Sequence, residues 1–148
     1  MANLAENRKA RFDYEILNTL EAGLVLTGQE VKAAKQGKMQ LPGSFITLRR
    51  GEAWLVGAVI PPYQPANAPA EYDPQRPRKL LLRKEELRGL QEIPKAQGLT
   101  LIPLKVYTLK GKIKLEVGTG RGKKKHDKRE TLKRKEAERE MRSRLKYR

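Results

Sequence analysis

Any hydrophobic core in this chain has to come from its first 120 residues, because the remainder carries almost nothing to bury. Arg121 to Arg148 holds 14 Lys and Arg against five acids, a net +9 of the formal +16 of the whole sequence. A segment so charged and so poor in apolar side chains repels itself and stays mobile in water until a polyanion receives it. The expected organisation is a folded domain over 1–120 and a basic tail over 121–148, disordered when free. About 120 residues are enough for one modest core.

The same charge narrows the partner. With a sequence pI near 10.3, neutralising phosphates and releasing counterions is the largest favourable term open to the surface, which points to nucleic acid. An anionic membrane is the weaker alternative, since the tail offers only Leu132, Ala137, Met141 and Leu145 as apolar anchors. No run of about 18 apolar residues occurs, and Met1 to Leu20 is interrupted by Asn3, Glu6, Arg8, Lys9, Arg11 and Asp13, so neither export nor a membrane span is expected. Cysteine is absent, which removes disulfides, thiolate catalysis and Cys-based zinc sites and favours a reducing, cytoplasmic setting.

Strands dominate the expected body. Phe12, Tyr14 and Ile16 alternate with Asp13 and Glu15, and a second apolar run follows Glu21-Ala22-Gly23 at Leu24-Val25-Leu26, so two paired strands are predicted with Gly23 at a bend or bulge. A short helix is predicted over 28–36, starting near Thr27 and ending at Gly37. Ser44–Leu48 with Ala53–Val59, and Val106–Leu109 with Ile113–Val117, flank glycine turns and predict hairpins. Six prolines between Pro61 and Pro77 predict an exposed loop. Leu80, Leu87 and Leu90 share one side of a second helix predicted over 80–90, and final strands are predicted over 99–106 and 112–118. Short antiparallel strands with two helices in the connections suit a mainly β protein, a small closed antiparallel OB-like barrel, since closure removes edges.

Catalytic chemistry has little to work with. The only histidine, His126, lies in the tail without a scaffold, so neither a triad nor a metal site is expected. Gly118-Thr119-Gly120-Arg121-Gly122 lacks the ending of a P-loop and reads as a flexible hinge before the tail. Glu21 and Glu30 read as binding groups in preference to an acid–base pair. Asn7-Arg8-Lys9-Ala10-Arg11 leads into Phe12 and Tyr14, setting amide and cationic donors beside a ring that can stack on a base; a solvated basic turn with Tyr14 in the core stays equally open. Arg76, Arg78, Lys79, Arg83 and Lys84 form a positive patch, or an ordinary solvated face. Trp54 reads as core or barrel-end packing ahead of a stacking platform. In the tail, Asp127 and Glu130 make a capping box, and acid-then-base pairs follow at i,i+4; a segment so marginal in water is poised to become helical once phosphates neutralise its charge.

These pieces, in order, resemble one family. Asn7-Arg8-Lys9-Ala10-Arg11 with Tyr14, Glu21-Ala22-Gly23, Gly28 with Glu30-Val31-Lys32, Gly37-Lys38, Asp73-Pro74 with Arg76, Arg78-Lys79-Leu80-Leu81-Leu82, Gly98-Leu99-Thr100, and Gly122-Lys123-Lys124 with Asp127-Lys128-Arg129 are similar to small protein B, the SsrA-binding protein family that works with bacterial transfer-messenger RNA (tmRNA). The resemblance runs from about Asn7 to the end. It implies an OB-like barrel that binds the tRNA-like domain of tmRNA and delivers it to stalled ribosomes for trans-translation, with no reaction catalysed, no cofactor and no metal. It implies an RNA-facing set of Asn7, Arg8, Lys9, Arg11, Tyr14, Glu21, Leu81, Gly122 and Lys123. It further implies a tail set of Lys124, His126, Asp127, Lys128 and Arg129, placed in the empty mRNA channel near the decoding centre of the small subunit. A monomer is implied, with elongation factor Tu and alanyl-tRNA synthetase as further partners through the charged RNA complex. Phe45 departs from the family's frequent tyrosine there. A permanent ribosomal protein and an RNA-modifying enzyme are the alternatives, and no residue constellation supports the enzyme.

Overall fold

The computed structural model describes residues 2–93, 97–123 and 139, so the tail positions 124–138 and 140–148, with the expected cap at Asp127, lie outside the described residues. Seven strands form one antiparallel sheet: β1 (Ala2–Glu6), β2 (Tyr14–Leu24), β3 (Phe45–Arg49), β4 (Glu52–Val56), β5 (Arg78–Leu81), β6 (Leu99–Leu109) and β7 (Lys112–Gly122). Among the described residues, three α-helices lie between them, α1 (Arg8–Asp13), α2 (Gly28–Lys35) and α3 (Lys84–Gln91).

The sheet order is β1-β6-β7-β2-β5-β4-β3, which makes β1 and β3 its two edges and corrects the expected closed barrel. The reason lies at β6. Its free edge is taken by β1, with Ala2 to Glu6 paired against Lys105 to Thr108. Just beyond, Leu104 is bulged where Pro103 cannot donate to a ladder, and Asn7 captures the two carbonyls there: its backbone N–H donates to Leu104 O at 2.8 Å and its side-chain amide to Pro103 O at 2.9 Å. β3 comes close to β6 but forms no ladder with it, so the sheet does not close. Strand β1 had no signal in the expected pattern.

Other boundaries shift for similar reasons. Residues 8–13 are helical, so Phe12 is not in a strand, and β2 runs unbroken through Gly23 with its bulge at Leu17. Gly23 instead permits close approach: a Cβ there would lie 3.1 Å from Leu81 Cβ. Leu80 and Leu81 belong to β5, held between β2 and β4, so the expected helix over 80–90 begins only at Lys84. The expected hinge at Gly118–Gly122 is also corrected, because β7 continues to Gly122.

Much of the local reading holds. Thr27 caps α2, accepting from the Glu30 N–H while Glu30 accepts from the Thr27 N–H, and Gly37 follows with φ +76°. Both hairpins turn on two residues of positive φ, Arg50-Gly51 and Lys110-Gly111, the twist that suits a two-residue turn. The core lies on the face formed by Ala22, Leu24, Ile46, Leu55, Leu80, Val106, Leu115 and Val117, with Ala33 and Ala34 of α2 packed on it.

Candidate nucleic-acid interface

Helix α1 is short, and Asn7 sets its position. Besides holding β6, the Asn7 side-chain oxygen accepts from the Ala10 N–H at 3.2 Å, so this residue is a buried N-cap whose polar groups are engaged within the protein. Its role in placing the basic helix follows from that geometry. Arg8 projects into solvent, 91% exposed with Glu6 3.4 Å away; Lys9 is exposed. Arg11 lies across the sheet and donates to Glu116 at 2.8 Å.

Glu116 ties α1 to the rest of the site. Opposite it in the ladder stands Glu21 of β2, and Lys105 approaches its other oxygen at 3.8 Å, so two cations compensate the paired acids. Glu21 is exposed and accepts a 2.6 Å hydrogen bond from the Tyr107 hydroxyl. Burial first, then the hydrogen bond to Glu21 and the charges of Glu21 and Glu116, push the Tyr107 phenol well above its ordinary range. It therefore stays a donor and fixes one carboxylate oxygen. Two residues along β2, Gly23 pairs with Leu81, which is 56% exposed on the same outward side. A carboxylate, an apolar side chain and flanking guanidinium groups thus share one face. Such a face can accept from a base amino group or a 2′-OH, cover a base, and hold phosphates.

The remaining expected residues meet at the base of the tail. Tyr14 pairs with Gly122 and packs with Ala10, Ile16, Ile102 and Leu104. Next to it the Lys123 N–H donates to Asp13 O at 2.9 Å, and the Lys123 ammonium sits 5.9 Å from the centre of the Phe12 ring. Lys124, His126, Asp127, Lys128 and Arg129 lie outside the described residues. Two residues of the face, Tyr107 and Glu116, escaped the sequence reading. Both sit on strands where alternation assigns a face but not which strand lies alongside; no local signal marks them.

Glu30, Arg78 and Trp54 lie in other places than expected. Glu30 does not face a ligand: it is 1% exposed and Arg78 is 0% exposed, so Arg78 also leaves the expected positive patch. Trp54 is not in the core, since Ala53 and Leu55 point inward and Trp54 occupies the opposite face. Among the described residues, no cluster of three or more His, Cys, Asp or Glu is placed to hold a metal, and no helix is long and apolar enough to cross a membrane.

Comparison with known proteins bears on the whole length. The family model described as SmpB protein matches residues 4–147. An SsrA-binding protein of Thermosynechococcus vestitus is 50% identical over 145 residues, covering 98% of this chain and 95% of that protein. Another, from Latilactobacillus sakei, is 51% identical over 141 residues, covering 95% and 90%. A chain of the solved structure "tmRNA-SmpB: a journey to the center of the bacterial ribosome" shares 46% identity at a TM-score of 0.67, over 86% of this chain and 92% of that one. This chain belongs to the SmpB protein family.

Proposed function

We propose that this protein is an RNA-binding adaptor that binds SsrA RNA, the transfer-messenger RNA, and acts with it on the ribosome in trans-translation. It is not an enzyme; its work is to place one RNA. The observation that carries this reading is the reach of the family match over residues 4–147, which takes in both the sheet and the basic tail.

In finer detail, the sheet holds the tRNA-like domain of tmRNA. Arg8, Lys9 and Arg11 meet phosphates, which supplies salt-dependent affinity without sequence information. Glu21, held by Tyr107, accepts from a base amino group or a ribose hydroxyl and so adds a selectivity that cations lack. Leu81 covers a base face beside it. Gly122 and Lys123 carry the contact to the start of the tail, where Lys124, His126, Asp127, Lys128 and Arg129 engage the small-subunit RNA at the decoding centre. The tail becomes helical in the empty mRNA channel. The protein works as a monomer in the cytoplasm, and meets elongation factor Tu and alanyl-tRNA synthetase through the charged RNA.

The test separates the two parts. Because β7 ends at Gly122 and Lys123 bonds Asp13, the chain should be cut after Lys123. That 1–123 protein is expected to bind the tRNA-like domain within about threefold of full length at matched ionic strength, where charge far from the contact is screened, yet support no tagging on ribosomes stalled without a stop codon. Loss of affinity in proportion to the charge removed would refute the division of labour.

A further inference from the structure

We propose that the outer face of the β3–β4 hairpin is a second RNA contact, where an unpaired base stacks on Trp54 and the adjoining phosphates meet Arg49, Arg50 and Lys79. Phe45, Thr47 and Arg49 of β3 face outward against Val56, Trp54 and Glu52 of β4, pair by pair. Their inward neighbours Ile46, Ala53 and Leu55 are in the core. Together with Arg50, these outward residues line an open cavity of about 1040 Å³. Phe45 is 53% exposed at its rim.

The chemistry selects the occupant. A patch that was purely apolar would fit many partners, but this one sets an indole beside two arginines at the tip of a hairpin, in a chain of net charge +16. Rings take the faces of unpaired bases, and cations track the backbone on either side. A duplex hides its base faces and gains only the charge term. Lys79, directly opposite Trp54 in the ladder, is held by Glu52 at 3.3 Å, with both side chains more than 40% exposed. Exposed pairs of this kind contribute little, so the ammonium can turn to a phosphate at small cost.

The face is continuous with the interface described above. From Trp54 the outward side crosses to Lys79, passes along β5 to Leu81, and reaches Gly23 and then Glu21 on β2. An RNA seated at Glu21 and Leu81 could lay an unpaired stretch over Lys79 onto Trp54. The inference rests on the reading of the protein as an RNA binder, but assigns residues outside the set that the family resemblance supplies.

Trp54 is the sole tryptophan, so its emission reports this face in the full-length protein. Titration with an eight-nucleotide single-stranded RNA of mixed sequence is expected to quench it saturably, while the matching duplex does not. With a dye on the oligonucleotide, Trp54→Phe should bind within about threefold of wild type and Trp54→Ala about tenfold more weakly, in line with losing one stacked base. Arg49→Gln with Arg50→Asn, where asparagine tolerates the positive φ of position 50, should weaken binding without disturbing the fold. Lys35→Ala with Arg88→Ala, two exposed cations outside both faces, should leave the quenching in place. The proposal is overturned if the duplex quenches equally, if the hairpin-tip variants bind as wild type, or if emission changes only with protein concentration, the mark of a second copy on this face. Failure of the tRNA-like domain to bind would sink the adaptor reading instead, while the oligonucleotide arm still decides this face.

Discussion

At the scale of single residues, Glu30 shows how a carboxylate can knit distant segments. One oxygen accepts from the Thr27 N–H at 2.9 Å and from Arg76 at 2.6 Å; the other accepts from Arg78 at 2.7 and 2.9 Å. Arg78 donates onward to Ala58 O and Pro74 O, which fastens both ends of the proline-rich loop. Burial pushes the Glu30 carboxyl up, but hydrogen bonds from Arg76, Thr27 and Arg78, with the Arg78 charge, outweigh it and leave it below 4.5. Glu30→Gln strands a buried guanidinium and is expected to cost about 3–5 kcal/mol in urea unfolding at pH 7. A folded-state carboxyl that is more acidic than the unfolded one stabilises fully above the unfolded value and loses that contribution as pH falls through the folded value. The gap between wild type and Glu30→Gln should therefore narrow below about pH 4.5. Tyr107→Phe removes the donor that orients Glu21; about 3–10-fold weaker binding of the tRNA-like domain is expected by filter binding, with the thermal midpoint shifted by only a few degrees. Neither role was legible beforehand. Glu30 is an unremarkable acid in a basic chain until the fold puts Arg78 beside it.

Elements differ in how much of them is written locally. Helix α2 carries its own cap at Thr27 and Glu30, and the hairpins carry their own turns, so both were readable. The strand β5 was not: Arg78-Lys79-Leu80-Leu81-Leu82 has leucines that suit a helix, and its extended form depends on lying between β2 and β4. Strand β7 teaches the same lesson at its glycines. A Cβ at Gly120 would collide with the Glu15 carbonyl, and one at Gly118 would lie 2.8 Å from Leu104 Cδ1, so these glycines serve close packing and not a hinge. Gly120→Ala is expected to destabilise by about 1–3 kcal/mol. A Cβ at Gly122 meets nothing within 4 Å, so Gly122→Ala should change stability by no more than about 0.5 kcal/mol. Calorimetry of the pair, set beside RNA binding, then distinguishes a glycine that the fold requires from one that the RNA approaches.

For the whole molecule, the open sheet leaves edges that have to be managed. Residues 2–6 cover β6, and deleting residues 1–6 exposes the backbone of Lys105 to Thr108 as a template for another chain. The expected result is a lower melting temperature with concentration-dependent association in sedimentation. The family was legible because it rests on many motifs in a fixed order. Closure was misjudged because it turns on whether β3 joins β6, a pairing between strands far apart in the chain that no local pattern announces. Finally, the bond from Lys123 to Asp13 and the pairing of Tyr14 with Gly122 anchor the origin of the tail to the end of the basic helix. A loose joint would let the two ends find their targets independently. If the sheet seats the RNA as proposed, the position of that RNA and the starting point of residues 124 onward form a single coordinate, so a misplaced RNA would carry the following segment off target with it.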